Sequence, residues 1–447
     1  MKKALLFSCL LIIAINSIAQ WEIITQNIDV GVRTDIEIAP DGMVYMAYMS
    51  FNGGAYHGMV KKYDGLAWQT VGSGSIYDIN SYFRFDFEID SEGNLYLAYV
   101  DDIAGQIKMT VKKFNGTSWE FVGEQGFSEG EIQFPQIDFD SNDVPFVVYR
   151  DFANGNNATV KKFNGSSWEL VGDAGFTEAG AWCTSIIIDN NDIPYVSYMD
   201  WANGQKISVD RFVGGEWETV GSPGFSIAEA WTTNMGIDAG NIPYVVYNDQ
   251  GDNDNTYLKK WNGNSWETVG GGSVSTDAGL DANFIFDNNN NVYVVFQDYS
   301  VSQAPASVKK LVGSNWEYLG EAGFPGTNCR YTSIAIDNEG SIFIAYVEMY
   351  NGQGLTVAQH PSVVSFMKEI QKPEVVIYPN PTNGIIKIIT HHDEKVLHIS
   401  LTDISGKLIF QSNEMDPTID LSGYDKGIYF IQIETANGIT TEKLIVR

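Results

Sequence analysis

Short runs in which apolar and polar residues alternate fill most of the chain, and each run ends in Gly, Asn or Asp. In the stretch from Thr184 to Gly221, "TSIIID", "IPYVSYMD", "KISVDRF" and "EWETVG" alternate and are punctuated by "NND" and by glycines. Side chains of a strand point alternately to opposite faces, so this pattern predicts four short strands joined by tight turns. The segment "VKKFNGTSWEFVG" from Val111 returns as "VKKFNGSSWELVG" from Val160, and four looser copies place tryptophans at Trp68, Trp119, Trp168, Trp217, Trp266 and Trp316, spaced 49 to 51 residues apart. Between the copies lies a second motif, of which "IIIDNNDIPYVSY" is one of seven occurrences.

A four-stranded unit repeated near every 50 residues is the signature of a β-propeller blade. Seven copies of one motif against six of the other predict a seven-bladed ring over residues 20–360, closed by joining its ends. The seventh unit stops at "LTVAQH" without a tryptophan strand, while "QWEIIT" from Gln20 supplies one. Trp21 to Thr25 is therefore expected to pair with the strand near Leu355 to His360.

The first residues are read as an address. Two lysines, an apolar run from Ala4 to Ile15 and "SIA" ending at Ala19 form an expected signal peptide over residues 1–19. No later stretch approaches the roughly 20 apolar residues of a membrane helix, so no membrane span is expected in the mature chain. Composition adds 44 Gly, 13% aromatic residues and a formal charge of −29, which repels phosphate backbones and argues against a nucleic-acid partner. After the leader only Cys183 and Cys329 remain; their spacing leaves open whether they pair.

Beyond a linker expected at 361–373 the repeat disappears. The blocks "YPNPTNG" (Tyr378, Pro379, Asn380, Pro381 and Gly384 among them), "DISGKLI" with Gly406, "DLSGYDKGIYFIQI" with Gly427 and Tyr429, and the terminal "KLIVR" follow in order. Residues 374–447 closely resemble the type A C-terminal sorting domain of the type IX secretion system of Bacteroidetes. The resemblance implies a small Ig-like β-sandwich, the type IX secretion machinery as a partner, and delivery to the cell surface or the medium.

A repeated scaffold places chemistry where its repeats differ. In the innermost strands one parity is apolar and the other faces the channel. Channel positions of the first three units read Arg33, Asp35, Glu37, then Arg84, Asp86, Glu88, then Asp138. Such carboxylates could hold calcium, the one cofactor the chain suggests, or serve glycoside hydrolysis; Arg33 and Arg84, two residues from Asp35 and Asp86, are expected to neutralise them. Between Gln20 and Gln359 the only histidine is His57, which disfavours His-based metal sites and Ser-His-Asp chemistry. Trp182, Trp201 and Trp231 break the repeat in loops of the fourth and fifth units, beside Asp200, and suit stacking and hydrogen bonding to a sugar. The aspartates that end the second strand of most units read as turn caps. The expectation is a non-catalytic extracellular binding module for glycan or protein. The alternative is a polysaccharide-acting glycosidase or lyase using the channel carboxylates.

Overall fold

The structure is a computed structural model that describes residues 20–79, 84–324, 326–349, 352–361, 375–390, 396–404, 407–412, 418–435 and 438–447. The expected signal peptide and nearly all of the expected linker lie outside these residues. The chain divides into two compact units, Met1–Val363 and Val364–Arg447. Both are built from strands, and among the described residues helix occurs only as three short 3-10 turns.

The first unit holds seven antiparallel sheets. Their innermost strands are Gly31–Ile38, Phe85–Ile89, Ile132–Phe139, Ala181–Ile188, Ala230–Ile237, Gly279–Phe286 and Cys329–Ile336. Each of these touches the next, and the seventh touches the first, so the sheets close into a ring. In six sheets all four strands are consecutive in sequence. The seventh is completed from the other end of the unit: Glu22 pairs with Gln359 and Ile23 with Ala358, which places the strand Glu22–Thr25 on the edge of Gly354–His360. The first sheet gains a strand the repeat does not predict, Tyr77–Ile79, set against Ala55–Tyr63 and fastened by His57 and Asp78 at 2.6 Å.

Three devices hold neighbouring sheets together, and each is a repeated residue. At the periphery the tryptophan of one sheet donates from Nε1 to a carbonyl of the sheet before it: Trp119 to Val71, Trp168 to Val122, Trp217 to Val171, Trp266 to Val220, Trp316 to Val269. Trp21 does the same to Leu319, at 2.7 Å. Rings then pack between sheets, as Phe176 does on Trp217 with centroids 4.0 Å apart. Second, the motif aspartates fold the turn after the innermost strand, where Asp189 accepts from the N–H groups of Asn191 and Ile193, and the neighbouring turn reaches across: Ser141 N–H donates to Asp192. Third, channel-facing side chains clasp the backbone of the next sheet, as described below. Within the sheets a tyrosine of the second strand is fully buried in five of the seven (Tyr48, Tyr99, Tyr149, Tyr247, Tyr346), with Phe296 in a sixth. Each such ring removes about 150–250 Å² from water.

In the second unit a three-stranded sheet (Val375–Tyr378, Ile385–Thr390, Thr418–Asp420) accompanies a four-stranded one (Val396–Asp403, Leu408–Ser412, Gly427–Thr435, Gly438–Val446). Ile386, Ile388, Leu401, Ile431 and Leu444 form a shared core.

Candidate functional site

The central channel is a cavity of about 410 Å³ lined by the innermost strands of all seven sheets. Six of those strands shift register near their start, and the residue there is left-handed in five of them: Arg33 (φ 59°), Phe134 (53°), Cys183 (50°), Asp281 (50°) and Tyr331 (56°). A β-bulge re-aims one side chain, and here it does so around the mouth of the channel.

Asp35, Glu37, Asp86, Glu88 and Asp138 all line the cavity. Three of them are spoken for by the fold. Asp35 accepts from Phe87 N–H (3.2 Å) and Ser333 Oγ (3.0 Å), Asp86 from Ile137 N–H (2.8 Å), and Asp138 from Ile188 N–H (2.5 Å). The same clasp is made by uncharged residues elsewhere, Ser185 to Met235 and Ser333 to Ile36. Glu37 and Glu88 differ, for neither makes a hydrogen bond among the described residues. Burial, and then the charges of Asp35 and Asp86, hold the Glu37 carboxyl well above its ordinary range; burial and then Glu37 do the same to Glu88. Burial raises Asp35 to about 6 and Asp138 to about 7 despite their N–H partners.

Among the described residues no ion pair joins Arg33 or Arg84 to these carboxylates, so the neutralisation expected from the sequence is not seen there. The Arg33 guanidinium lies 4.5 Å from the centroid of the Tyr331 ring and that of Arg84 5.1 Å from Phe134. Alternation put Arg and Asp on one face, but at Arg33 a bulge turns the arginine towards the ring of an adjacent sheet; Arg84 precedes a strand that pairs without a register shift. Among the described residues no group of three or more His, Cys, Asp or Glu side chains is placed to hold a metal ion. Cys183 and Cys329 are buried and free.

At the same end of the ring, where the loops before the innermost strands and after the second strands converge, rings and cations form a continuous run. Arg84 covers Phe134, Phe134 lies 5.9 Å from Trp182, and Trp182 stacks on Trp201 at 6.0 Å with planes 19° apart. The Arg150 guanidinium sits between Trp182 (4.3 Å) and Phe152 (4.9 Å). Trp201 is 50% exposed and Phe152 39%. Trp231, 38% exposed, makes no ring contact with this run among the described residues. Asp200 is removed from the candidate set, because its carboxylate is buried and already accepts from Ala202 N–H, Asn203 Nδ2 and Ser208 Oγ. Asp151 and Asp298 are engaged in the same way, which is the turn-cap role. Phe152 and Arg150 escaped the sequence reading, and Phe134, which the alternation places on the channel face, was not expected in this run. The one available signal was that Phe152 follows the cap aspartate as Trp201 does.

In the second unit the sorting motif ties down the last strand. Asn380 donates from Nδ2 to the Lys443 carbonyl and accepts from Ile445 N–H, while Thr382 N–H donates to Ile445. Tyr429 is buried with its hydroxyl on the Asp425 carbonyl. Gly427 opens the strand that carries Tyr429; Tyr378 is 44% exposed. Gly406 lies outside the described residues.

These features define an all-β exported protein with a propeller-like ring. Residues 376–447 match the family described as Secretion system C-terminal sorting domain, so the chain carries a type IX secretion signal and is destined for the cell surface or the medium. No curated protein matches the sequence. Among solved structures, a polysaccharide lyase of family PL25, an ulvan lyase, aligns over 74% of this chain and 95% of its own at 15% identity and a TM-score of 0.51. The same kind of lyase bound to -[GlcA(1-4)Rha3S]- aligns over the same shares at 15% identity and a TM-score of 0.50. A lectin from Aleuria aurantia, in complex with Fucalpha1-6GlcNAc, covers 66% of this chain and 99% of its own at 13% identity and a TM-score of 0.43. At such identities the likeness to the two lyase structures is one of fold. No helix among the described residues is long and apolar enough to cross a membrane.

Proposed function

We propose that the first unit is a seven-bladed β-propeller that binds glycan outside the cell without acting on it, and that the second is an Ig-like sandwich that serves its export. The observation that carries the binding reading is the half-exposed Trp201 stacked on Trp182 beside Phe152. A large aromatic surface left in water is costly unless something covers it, and a flat indole suits the apolar face of a pyranose ring. The site needs no catalytic geometry. Binding of residues 20–447 to a glycan array tests this, with Trp201→Ala expected to lose the signal at unchanged thermal stability. Unchanged glycan binding by that variant would refute the assignment of the site. A protein captured in place of any glycan would turn the ring into an interaction scaffold.

One observation favours a second reading, a polysaccharide-acting lyase or glycosidase. Glu37 and Glu88 are channel carboxyls without hydrogen-bond partners among the described residues, held well above their ordinary range as a general acid would be. Turnover of an acidic or neutral polysaccharide that disappears in Glu88→Gln would support it. Absence of turnover leaves the binding reading in place.

A further inference from the structure

The first unit contains five arginines, and four of them, Arg33, Arg84, Arg150 and Arg330, lie at one end of the ring, at the starts of innermost strands or the end of the strand beside them. The fifth, Arg211, is at the other end and pairs with Glu218 at 2.5 Å. This is an unusual concentration in a chain of net charge −29.

Arg150 stands out among the four. Only 8% of its surface is exposed, and among the described residues it makes one hydrogen bond, from Nη1 to Gln133 Oε1 at 2.9 Å. Nε is buried without a partner. No ion pair among the described residues includes Arg150. A cation removed from water and left without an anion is costly, and two aromatic faces return only part of that cost. Burial accordingly weakens its hold on the proton. The rings that flank it are Trp182, stacked on the exposed Trp201, and the exposed Phe152. A ligand lying on those rings brings its substituents to the guanidinium.

We propose that the glycan bound at Trp201 is anionic, and that Arg150 receives its carboxylate or sulfate group. This rests on the binding reading above and narrows it to acidic polysaccharides. A planar guanidinium fits either anion through paired N–H donors, and the other arginines at that end raise the local potential against the field of the whole protein.

The test uses residues 20–447 with four polymers: dextran, dextran sulfate, galactan and polygalacturonate. The wild type is expected to hold at least one anionic polymer about tenfold or more tighter than its neutral counterpart, since a hydrogen bond to a charged group contributes about 1.5–3 kcal/mol. That margin should shrink as salt is raised. Preference for dextran sulfate alone identifies sulfate as the group, and preference for polygalacturonate alone a uronate. Arg150→Met should erase the margin, bringing affinity for the anionic polymer down to that of its neutral counterpart in the same variant, and Arg150→Lys, which keeps a point charge in place, should retain part of it. Equal affinity of the wild type for charged and neutral polymers would overturn this inference and leave the glycan reading standing. Binding of no polymer would overturn both. A margin that survives in a folded Arg150→Met protein would also overturn it.

Discussion

At the scale of single residues, the decisive comparison is between Asp200 and its sequence neighbour Trp201. Asp200 is buried under three hydrogen bonds, whereas Trp201 is half exposed. Asp200→Ala should therefore lower stability by about 1–3 kcal/mol, the cost of stranding buried donors, while Trp201→Ala should change it by less than about 1 kcal/mol. Urea midpoints of the two variants check this, and a neutral Asp200→Ala would return that carboxylate to the candidate site. The sequence named both residues as ligand contacts because chain proximity was the only signal; burial, which separates them, is a property of the packed ring. Glu37 and Asp35 part for the same reason. Both read as channel carboxylates two residues apart, but only Asp35 meets a backbone N–H of the next sheet.

Among elements, the strands were legible and their extra contacts were not. Period-two alternation located the four strands of each repeat and the pairing of Glu22–Thr25 with Gly354–His360, because register is dictated by which face is apolar. The strand Tyr77–Ile79 was missed, since it occupies a connecting segment outside the repeat. So was the bulge that sends Arg33 to an aromatic ring, since a bulge has no period of its own. The closing strand makes a sharp prediction. Trp21 is 7% exposed and packs on Gly320, whose φ of 80° and 2.9 Å approach leave no room for a side chain. Trp21→Ala should cost about 3–5 kcal/mol and expose the seam between the sixth and seventh sheets. Limited proteolysis of that variant should cut first in the N-terminal strand; cleavage at wild-type sites and rates would show that the seam does not depend on it.

For the molecule as a whole, the buried channel acids tie stability to pH. Asp35 and Asp138 are raised from 3.8 to about 6 and about 7, so between about pH 4 and pH 7 the folded protein binds more protons than the unfolded chain. Stability must then fall as pH rises through that window, and the net charge of −29 adds self-repulsion in the same direction. The Tm should be higher at pH 5 than at pH 8, and Asp138→Asn should flatten the dependence; a Tm that climbs over this interval would mean the carboxyls are not held as described. The C-terminal unit was the most legible part of the chain, because its motif blocks are local in sequence and Asn380 and Thr382 perform a local task on the final strand.

The central claim is that ligand sits on the aromatic run and not inside the channel. Hydroxyl-radical footprinting with a bound acidic polysaccharide separates the two, because Trp201 marks the run and Met235 lines the channel. The account predicts that ligand slows oxidation of Trp201 and leaves Met235 unchanged. Protection of Met235 with Trp201 unaffected would contradict it.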